Sequence, residues 1–248
     1  LRKKGLIDFQ PISNIGPSLT AAGHDVLTAI SVEPMYKSFR KDPTFLGTKF
    51  DPKNPPKTVF GVKDVRTVEY FKSSDNFYLG KFITDKDTIA RLNKLIREEY
   101  ISNNIPLGTQ VGIDEFRKKL GTTLLNEDWK IDRIIATTTN KMRNYAGVAY
   151  MQDAAVTTFE IRGVVDRLQC DWCKNLQGKQ FDVTLANERV EFLTKAAPEQ
   201  IPLLSPFINQ VLKDPSKIAE MSGAELQKLG IDLPPFHCRC RDTIVAVL

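Results

Sequence analysis

Apolar residues recur at helical spacing through the middle of the chain. Over residues 84–100 they stand three or four positions apart, behind a Thr84–Asp87 capping signal. A shorter helix is predicted from Asp114 to about Gly121, and a third and longest helix behind Asn126. The apolar stripe of this third helix comprises Trp129, Ile131, Ile134, Ile135, Thr138, Met142, Tyr145, Ala146 and Ala149. Three helices joined by short loops predict a helical bundle.

The pattern changes from helical spacing to alternation near residue 156. Three short segments of β-branched and aromatic residues predict strands, at residues 156–162, 179–183 and 242–248. Between the second and third strands the chain is predicted to form a helical insertion, within which Ser222 and Glu225 have the spacing of a capping box. The sequence therefore predicts an α+β fold, a helical bundle followed by a small antiparallel sheet.

The N-terminal third has a different character. A short amphipathic helix is predicted over residues 18–31, and residues 33–57 then combine five prolines with aromatic and basic side chains. Proline at this density disfavours helix and central strand, and aromatic side chains are unfavourable in water. We therefore expect an extended Pro-rich arm that docks on a partner, with a solvated linker as the alternative.

This pattern predicts two domains. The first, residues 1–79, holds the N-terminal helix and the docking arm. The second, residues 80–248, is expected to be autonomous, with its helices over about 83–153 and the cysteine-clamped sheet with its helical insertion over 154–248.

Composition and charge exclude several classes of protein. Hydrophobic residues make up 42% of the 248 residues and charged residues 26%, both ordinary for a soluble globular protein. No apolar run approaches the length that spans a bilayer. The formal net charge of +5 permits contact with a polyanion without requiring it. We expect a reducing cytoplasm, where paired cysteines are more often metal ligands than disulfides.

All four cysteines fall into two close pairs, Cys170 with Cys173 and Cys238 with Cys240, and His237 directly precedes the second pair. Both sulfurs of a C-x2-C turn can point into one pocket, and two cysteines two positions apart in an extended segment project from the same face of a strand. We therefore predict one structural zinc ion held by the four cysteines, with His237 able to replace one of them. A disulfide and reduced thiols remain the alternatives.

Catalysis is not expected from this chain. Every cysteine has another cysteine within three positions, which favours a metal site or a disulfide over a nucleophile. A zinc ion closed by four ligands has no open position for a substrate. The other histidine, His24, has no cysteine, second histidine or carboxylate pair near it, and neither a Walker A nor a dinucleotide-binding glycine pattern is present.

The order of these motifs resembles the phage Mu protein F-like minor head proteins. The motifs are a long helix containing Ile135–Arg143, then Cys170-x-x-Cys173, then Leu176-x-Gly-Lys-x-Phe181, and finally Pro-Pro-x-His-Cys-Arg-Cys ending at Cys240. The resemblance covers about residues 80–248. In that family two residues separate the histidine from Cys-Arg-Cys, whereas here His237 abuts Cys238.

The resemblance implies a minor capsid or head morphogenesis protein of a tailed phage or phage-like particle. Such a protein would lie in the capsid interior near the portal, and in the host cytoplasm during assembly. It would act in head assembly or in DNA packaging and delivery, with the portal protein and other head proteins as partners and packaged DNA as a further contact. Neither a membrane nor a small-molecule substrate is expected.

The alternative is a zinc-stabilised nucleic-acid-binding module. Four basic residues around the cysteines would then contact phosphates: Arg167, Lys174, Arg239 and Arg241. Three neighbouring carboxylates could neutralise them: Asp166, Asp171 and Asp242.

Overall fold

The computed structural model of this protein describes residues 32–47, 56–79 and 129–247, together with Lys118. In this part of the chain three helices come first: α1 over residues 32–39, α2 over Val62–Leu79 and α3 over Trp129–Asp153. Strand β1 (Thr158–Arg162), helix α4 (Asp171–Leu176), strand β2 (Gln180–Asp182) and helix α5 (Val183–Leu193) follow. Four short helices and the last strand complete the order: α6 (Ile201–Leu204), α7 (Ile208–Val211), α8 (Ser216–Glu220), α9 (Gly223–Lys228) and β3 (Thr243–Ala246). One-turn 3-10 helices lie at Pro43–Leu46 and Pro198–Gln200.

The three strands form one antiparallel sheet in the order β2-β1-β3. Phe159 of β1 lies opposite Phe181 of β2 and Ala246 of β3, and the two phenylalanine rings stack at 5.5 Å. The alternating segments of the sequence thus predicted the small antiparallel sheet correctly. Of the predicted bundle only α3 lies among the described residues. The helices predicted at 18–31 and 84–100 fall outside them, as does the helix predicted at 114–121 except for Lys118, so the bundle stays a prediction.

Helix α3 packs against α2, α5, β3 and the first 3-10 helix. Its buried side chains include Met142, Tyr145 and Ala146, three positions of the predicted apolar stripe. Tyr145 contacts Tyr70 and Phe71 of α2, with ring centroids at 6.4 and 5.6 Å. Helix α5 packs against α3 from another side. Among the described helices none has the length and apolar character needed to cross a bilayer.

The prediction of an extended docking arm is wrong for residues 32–47. This segment forms α1 and the first 3-10 helix, and its aromatic side chains Tyr36, Phe39 and Phe45 are buried in the protein's own core. The prolines do not prevent these helices, because Pro34 lies in the first turn of α1 and Pro43 at the start of the 3-10 helix, where a backbone N–H is not needed for an intrahelical bond.

Buried charges hold the same segment against α2 and α3. Arg40 donates from Nε to Asp64 Oδ1 at 2.6 Å and from Nη2 to Asp153 Oδ2 at 2.8 Å. Arg143 of α3 lies 3.6 Å from the carboxylate of Asp42, and both side chains are buried. Removing one partner of such a pair leaves an uncompensated buried charge, so these contacts fix the position of the segment. The proposed domain boundary at residues 79 and 80 stays a prediction, since residues 80–117 lie outside the described part.

A glycine in the middle of α3 makes room for this segment. A Cβ added at Gly147 would lie 2.6 to 2.9 Å from atoms of the Phe45 ring, which is fully buried. We expect Gly147→Ala to lower the free energy of unfolding in urea, because overpacking costs about 1–3 kcal/mol and the better helix propensity of alanine offsets only about 1 kcal/mol.

Gly61→Ala is the matched control. A Cβ at Gly61 meets nothing within 4 Å, so its free energy of unfolding should stay within about 0.5 kcal/mol of the wild type. A Gly147→Ala protein as stable as the wild type would contradict the packing of Phe45 on α3.

Candidate metal centre

Helix α4 positions the first two cysteines. Cys170 occupies the N-cap position with extended backbone and makes no side-chain capping hydrogen bond, and Cys173 lies in the first turn. Lys174 N donates to Cys170 O at 2.9 Å, which closes that turn. The two sulfurs meet at the ring of His237, whose Nε2 lies 3.3 Å from Cys170 Sγ and 3.0 Å from Cys173 Sγ. Both sulfurs of the C-x2-C motif therefore face one pocket, as predicted.

The hydrogen bonding of His237 leaves one ring nitrogen available to a metal. Nδ1 lies 2.8 Å from the carbonyl oxygen of Cys238, so it donates its hydrogen there. Nε2 is then the lone-pair nitrogen, and it points at the two sulfurs of α4. Fixing the tautomer through the opposite nitrogen is the usual arrangement of a metal-bound histidine.

A tight turn separates the last two cysteines. Arg239 has a φ of 57°, and Cys240 N donates to His237 O at 3.2 Å. The expectation that Cys238 and Cys240 lie in an extended segment is therefore wrong, and their side chains do not share a face. Cys240 Sγ comes within 3.8 Å of Cys173 Sγ, whereas Cys238 belongs to neither group of potential ligands among the described residues.

A buried carboxylate adjoins the thiols, although the sequence predicts for it only the role of a neutralising charge. Asp242 is 2% exposed, and a carboxylate oxygen lies within 4.8 Å of the sulfurs of Cys173 and Cys240. Burial raises the pKa of Asp242. Its Oδ2 has no hydrogen-bond partner in the described part of the chain. The signal in the sequence was its place two residues after Cys240.

The residues beside Asp242 pack tightly against it. A Cβ at Gly163 would overlap Asp242 Oδ1, so only glycine fits there. Gln177 accepts from Gly163 N at 2.7 Å and donates to Cys173 O at 3.1 Å. The strand end after β1 and the helix α4 are thereby tied together next to the thiols.

The electrostatics of the cluster favour a bound cation. The neighbouring thiol of Cys240, together with burial and the charge of Asp242, raises the pKa of Cys173. Without a cation, simultaneous ionisation of these acids is disfavoured, because several negative charges cannot share one buried space. A divalent metal reverses that preference, since thiolates are its ligands.

The donor set fits zinc in number and type. It forms two groups that share Cys173, one with Cys170 and His237 and one with Cys240 and Asp242. Two thiolates on one tetrahedral zinc lie about 3.8 Å apart, and a thiolate and an imidazole nitrogen about 3.5 Å apart. The observed separations are 3.8 Å between Cys173 and Cys240 and 3.0 to 3.3 Å from His237 to the sulfurs of α4. The four cysteines form no disulfide. Cys170, Cys173, His237 and Cys240 would hold the ion, with Asp242 beside them.

The basic residues of the nucleic-acid alternative are not all available for phosphate. Arg241 donates from both terminal nitrogens to Asp166, at 2.7 and 2.6 Å. This pairing lowers the pKa of Asp166 to about 2, so the carboxylate stays charged at neutral pH. Of the four basic residues named from the sequence, one is therefore already engaged by a carboxylate.

The turn at Cys238 gives a direct test of the ligand set. We expect Cys238→Ser to keep the zinc content of the wild type, because its sulfur is not among the converging donors. Cys240→Ser, two positions away, should bind zinc at least about tenfold more weakly, because a ligand is lost. Zinc is measured in freshly purified, reduced protein and by competition with a chelator. Equal loss of zinc in both variants would restore Cys238 as a ligand.

Comparison of this chain with protein-family models, with curated proteins and with solved structures finds no match in any of the three. The resemblance to the Mu protein F-like proteins accordingly rests on the sequence motifs themselves. What the geometry adds is independent of any relative. Two groups of potential ligands share the buried Cys173, one with the partly exposed Cys170 and His237 and the other with the buried Cys240 and Asp242.

Proposed function

We propose that this protein is a zinc-clamped minor head protein of a tailed phage or phage-like particle, acting in head assembly or in DNA packaging and delivery. One observation carries the proposal: the two cysteine motifs that resemble the phage family are the segments that meet, with Cys173 Sγ 3.0 Å from His237 Nε2 across 64 residues of sequence. The site is a clamp between distant segments, as a structural role requires.

The surroundings of the cluster favour a structural ion over a catalytic one. Cys173, Cys240 and Asp242 are buried, and three thiolates with one imidazole complete a tetrahedral set. No coordination position is left for a substrate or an activated water. We accordingly propose that the chain has no hydrolase, nuclease or transferase activity.

The clamp would also act on the helical insertion. Cys170 and His237 are 67 residues apart, and helices α5 to α9 lie between them. Joining the ends of so long a loop restricts the unfolded chain and so stabilises the folded one. The insertion is thereby presented as one rigid surface, which suits a protein whose partners are the portal and neighbouring head proteins.

Removal of the metal should loosen one part of the fold and spare another. With a strong chelator under reducing conditions, we expect faster amide hydrogen exchange in β3 and in residues 237–242, because the clamp holds that segment. Far-UV circular dichroism should retain most of the helical signal, because α3 is also held by the aromatic cluster with Tyr70 and Phe71. Protein that contains no zinc when freshly purified and reduced, or unchanged exchange after chelation, would contradict the clamp.

Association with particles tests the biological role. In cells that assemble the complete head, we expect the tagged protein to sediment with particles that carry a portal ring and to resist added nuclease. Cys173→Ser should sediment poorly and Cys238→Ser normally, because only the first is a proposed ligand. Recovery only with free nucleic acid, in a form that nuclease releases, would favour the nucleic-acid-binding alternative.

A further inference from the structure

Helix α3 presents a polar stripe to the backbone that carries Cys240. Three side chains spaced three and four residues apart form it, and such spacing places them on one face of a helix. Each contacts the main chain of the last segment: Thr137 with Arg239, Asn140 with Cys240 and Asn144 with Ile244. The helix and the segment therefore run side by side through the region next to the clamp. The sequence pattern predicts only the apolar stripe of this helix.

The two asparagines form one ordered pair. Asn144 Nδ2 donates to Asn140 Oδ1 at 2.6 Å and to Asn140 O at 2.9 Å. This bond turns the Asn140 amide so that its Nδ2 donates to the carbonyl oxygen of Cys240. Both side chains are buried, and a buried amide with satisfied partners has little freedom to reorient.

Asn144 also protects the free edge of the sheet. Strand β3 is an edge strand, and Val247 N donates to Thr158 O at 2.9 Å. Because hydrogen-bonding direction alternates along a strand, the N–H of Ile244 points away from β1. Asn144 Oδ1 accepts that N–H at 3.2 Å. The edge of β3 is therefore bonded to α3 through a side chain.

We propose that Asn140, aided by Thr137 and Asn144, is the positioning residue that sets Cys240 in place for the metal. The inference rests on the proposed zinc clamp and deepens it. Cys170 and Cys173 lie at the start of α4. This helix is hydrogen-bonded to other parts of the chain, for example from Asn175 Nδ2 to Pro215 O at 2.8 Å. Cys240 instead belongs to a segment bonded to α3. The distance between its sulfur and those of α4 therefore depends in part on the hydrogen bond from Asn140 to Cys240 O.

A consequence follows for α3 itself. A metal ion bound by the Cys240 sulfur would also fix the position of the Cys240 carbonyl, to which Asn140 donates. Metal binding and the order of α3 are therefore linked. By this linkage, loss of the Asn140 hydrogen bond weakens the metal, and loss of the metal loosens the middle of α3. The long helix would then be the element that transmits the state of the clamp to the rest of the fold.

The test uses three variants of the full chain with Co²⁺ as the probe. Ligand-field and thiolate-to-cobalt absorption report the coordination geometry, and competition with a chelator gives the affinity. We expect Asn140→Ala to bind Co²⁺ and Zn²⁺ about 10- to 100-fold more weakly, with weaker ligand-field bands, as for other residues that orient metal ligands. Thr137→Val, which has the same shape but lacks the acceptor for Arg239 N, should weaken binding by a smaller factor.

Asn187→Ala is the matched control. Asn187 is also buried, but its amide donates to Glu191 of α5, away from the clamp. It should lower stability in urea without changing the cobalt spectrum or the affinity.

Equal affinity and spectra for wild type, Asn140→Ala and Thr137→Val would overturn the inference. So would a loss of affinity in Asn140→Ala no larger than in Asn187→Ala. If Asn140→Ala does not fold, wild-type affinity in Thr137→Val overturns it. A wild type that binds no metal refutes the clamp itself, which is a separate result.

Discussion

The cluster of thiols, imidazole and carboxylate around the buried Cys173 is the constraint on which we propose that the C-terminal half of the fold depends. His237 approaches Cys170 and Cys173 at the start of α4, and Cys240 and Asp242 from the segment before β3 approach Cys173. Burial disfavours the charged forms of Cys173 and Asp242. A cation at this point would satisfy the donors and would join the two segments. The same groups without a cation would be a buried polar cluster with an unpaired carboxylate oxygen.

Helix α3 serves the fold through two different faces. One face packs against α1, α2 and the first 3-10 helix, with Gly147 beneath Phe45 and Arg143 beside Asp42. The other face bonds the backbone of residues 239–244 through Thr137, Asn140 and Asn144. A segment packed on an apolar helix face can shift along the helix at little cost. Hydrogen bonds from helix side chains to main-chain groups instead fix the position of the bonded segment along the helix. The polar face therefore suits a site that needs its ligands placed closely.

The sequence predicted the parts of this structure that depend on local patterns. Alternation identified β1, and the spacing of Ser222 and Glu225 identified the capping box that begins α9. The C-x2-C spacing identified the sulfurs that share a pocket. These sequence patterns are reliable because each depends only on the backbone geometry within one helical turn or one strand.

The errors and omissions share a different cause. The prolines of residues 33–57 predict an extended arm, yet in the described residues 32–47 two of those prolines lie at helix starts and the aromatic residues pack against residues far along the chain. Cys238 was grouped with Cys240 because a positive φ at Arg239 has no signal in a residue other than glycine. Asn140, Asn144 and Asp242 have roles that exist only once distant segments meet.

X-ray absorption at the zinc edge of the reduced, full-length protein tests the central claim most directly. The account predicts three sulfur ligands at about 2.3 Å and one nitrogen ligand at about 2.0–2.1 Å. Four sulfur ligands would mean that Cys238 takes the place of His237 and that the turn at Arg239 is not the metal-bound conformation. A shell dominated by oxygen and nitrogen, or the absence of zinc, would contradict the clamp altogether.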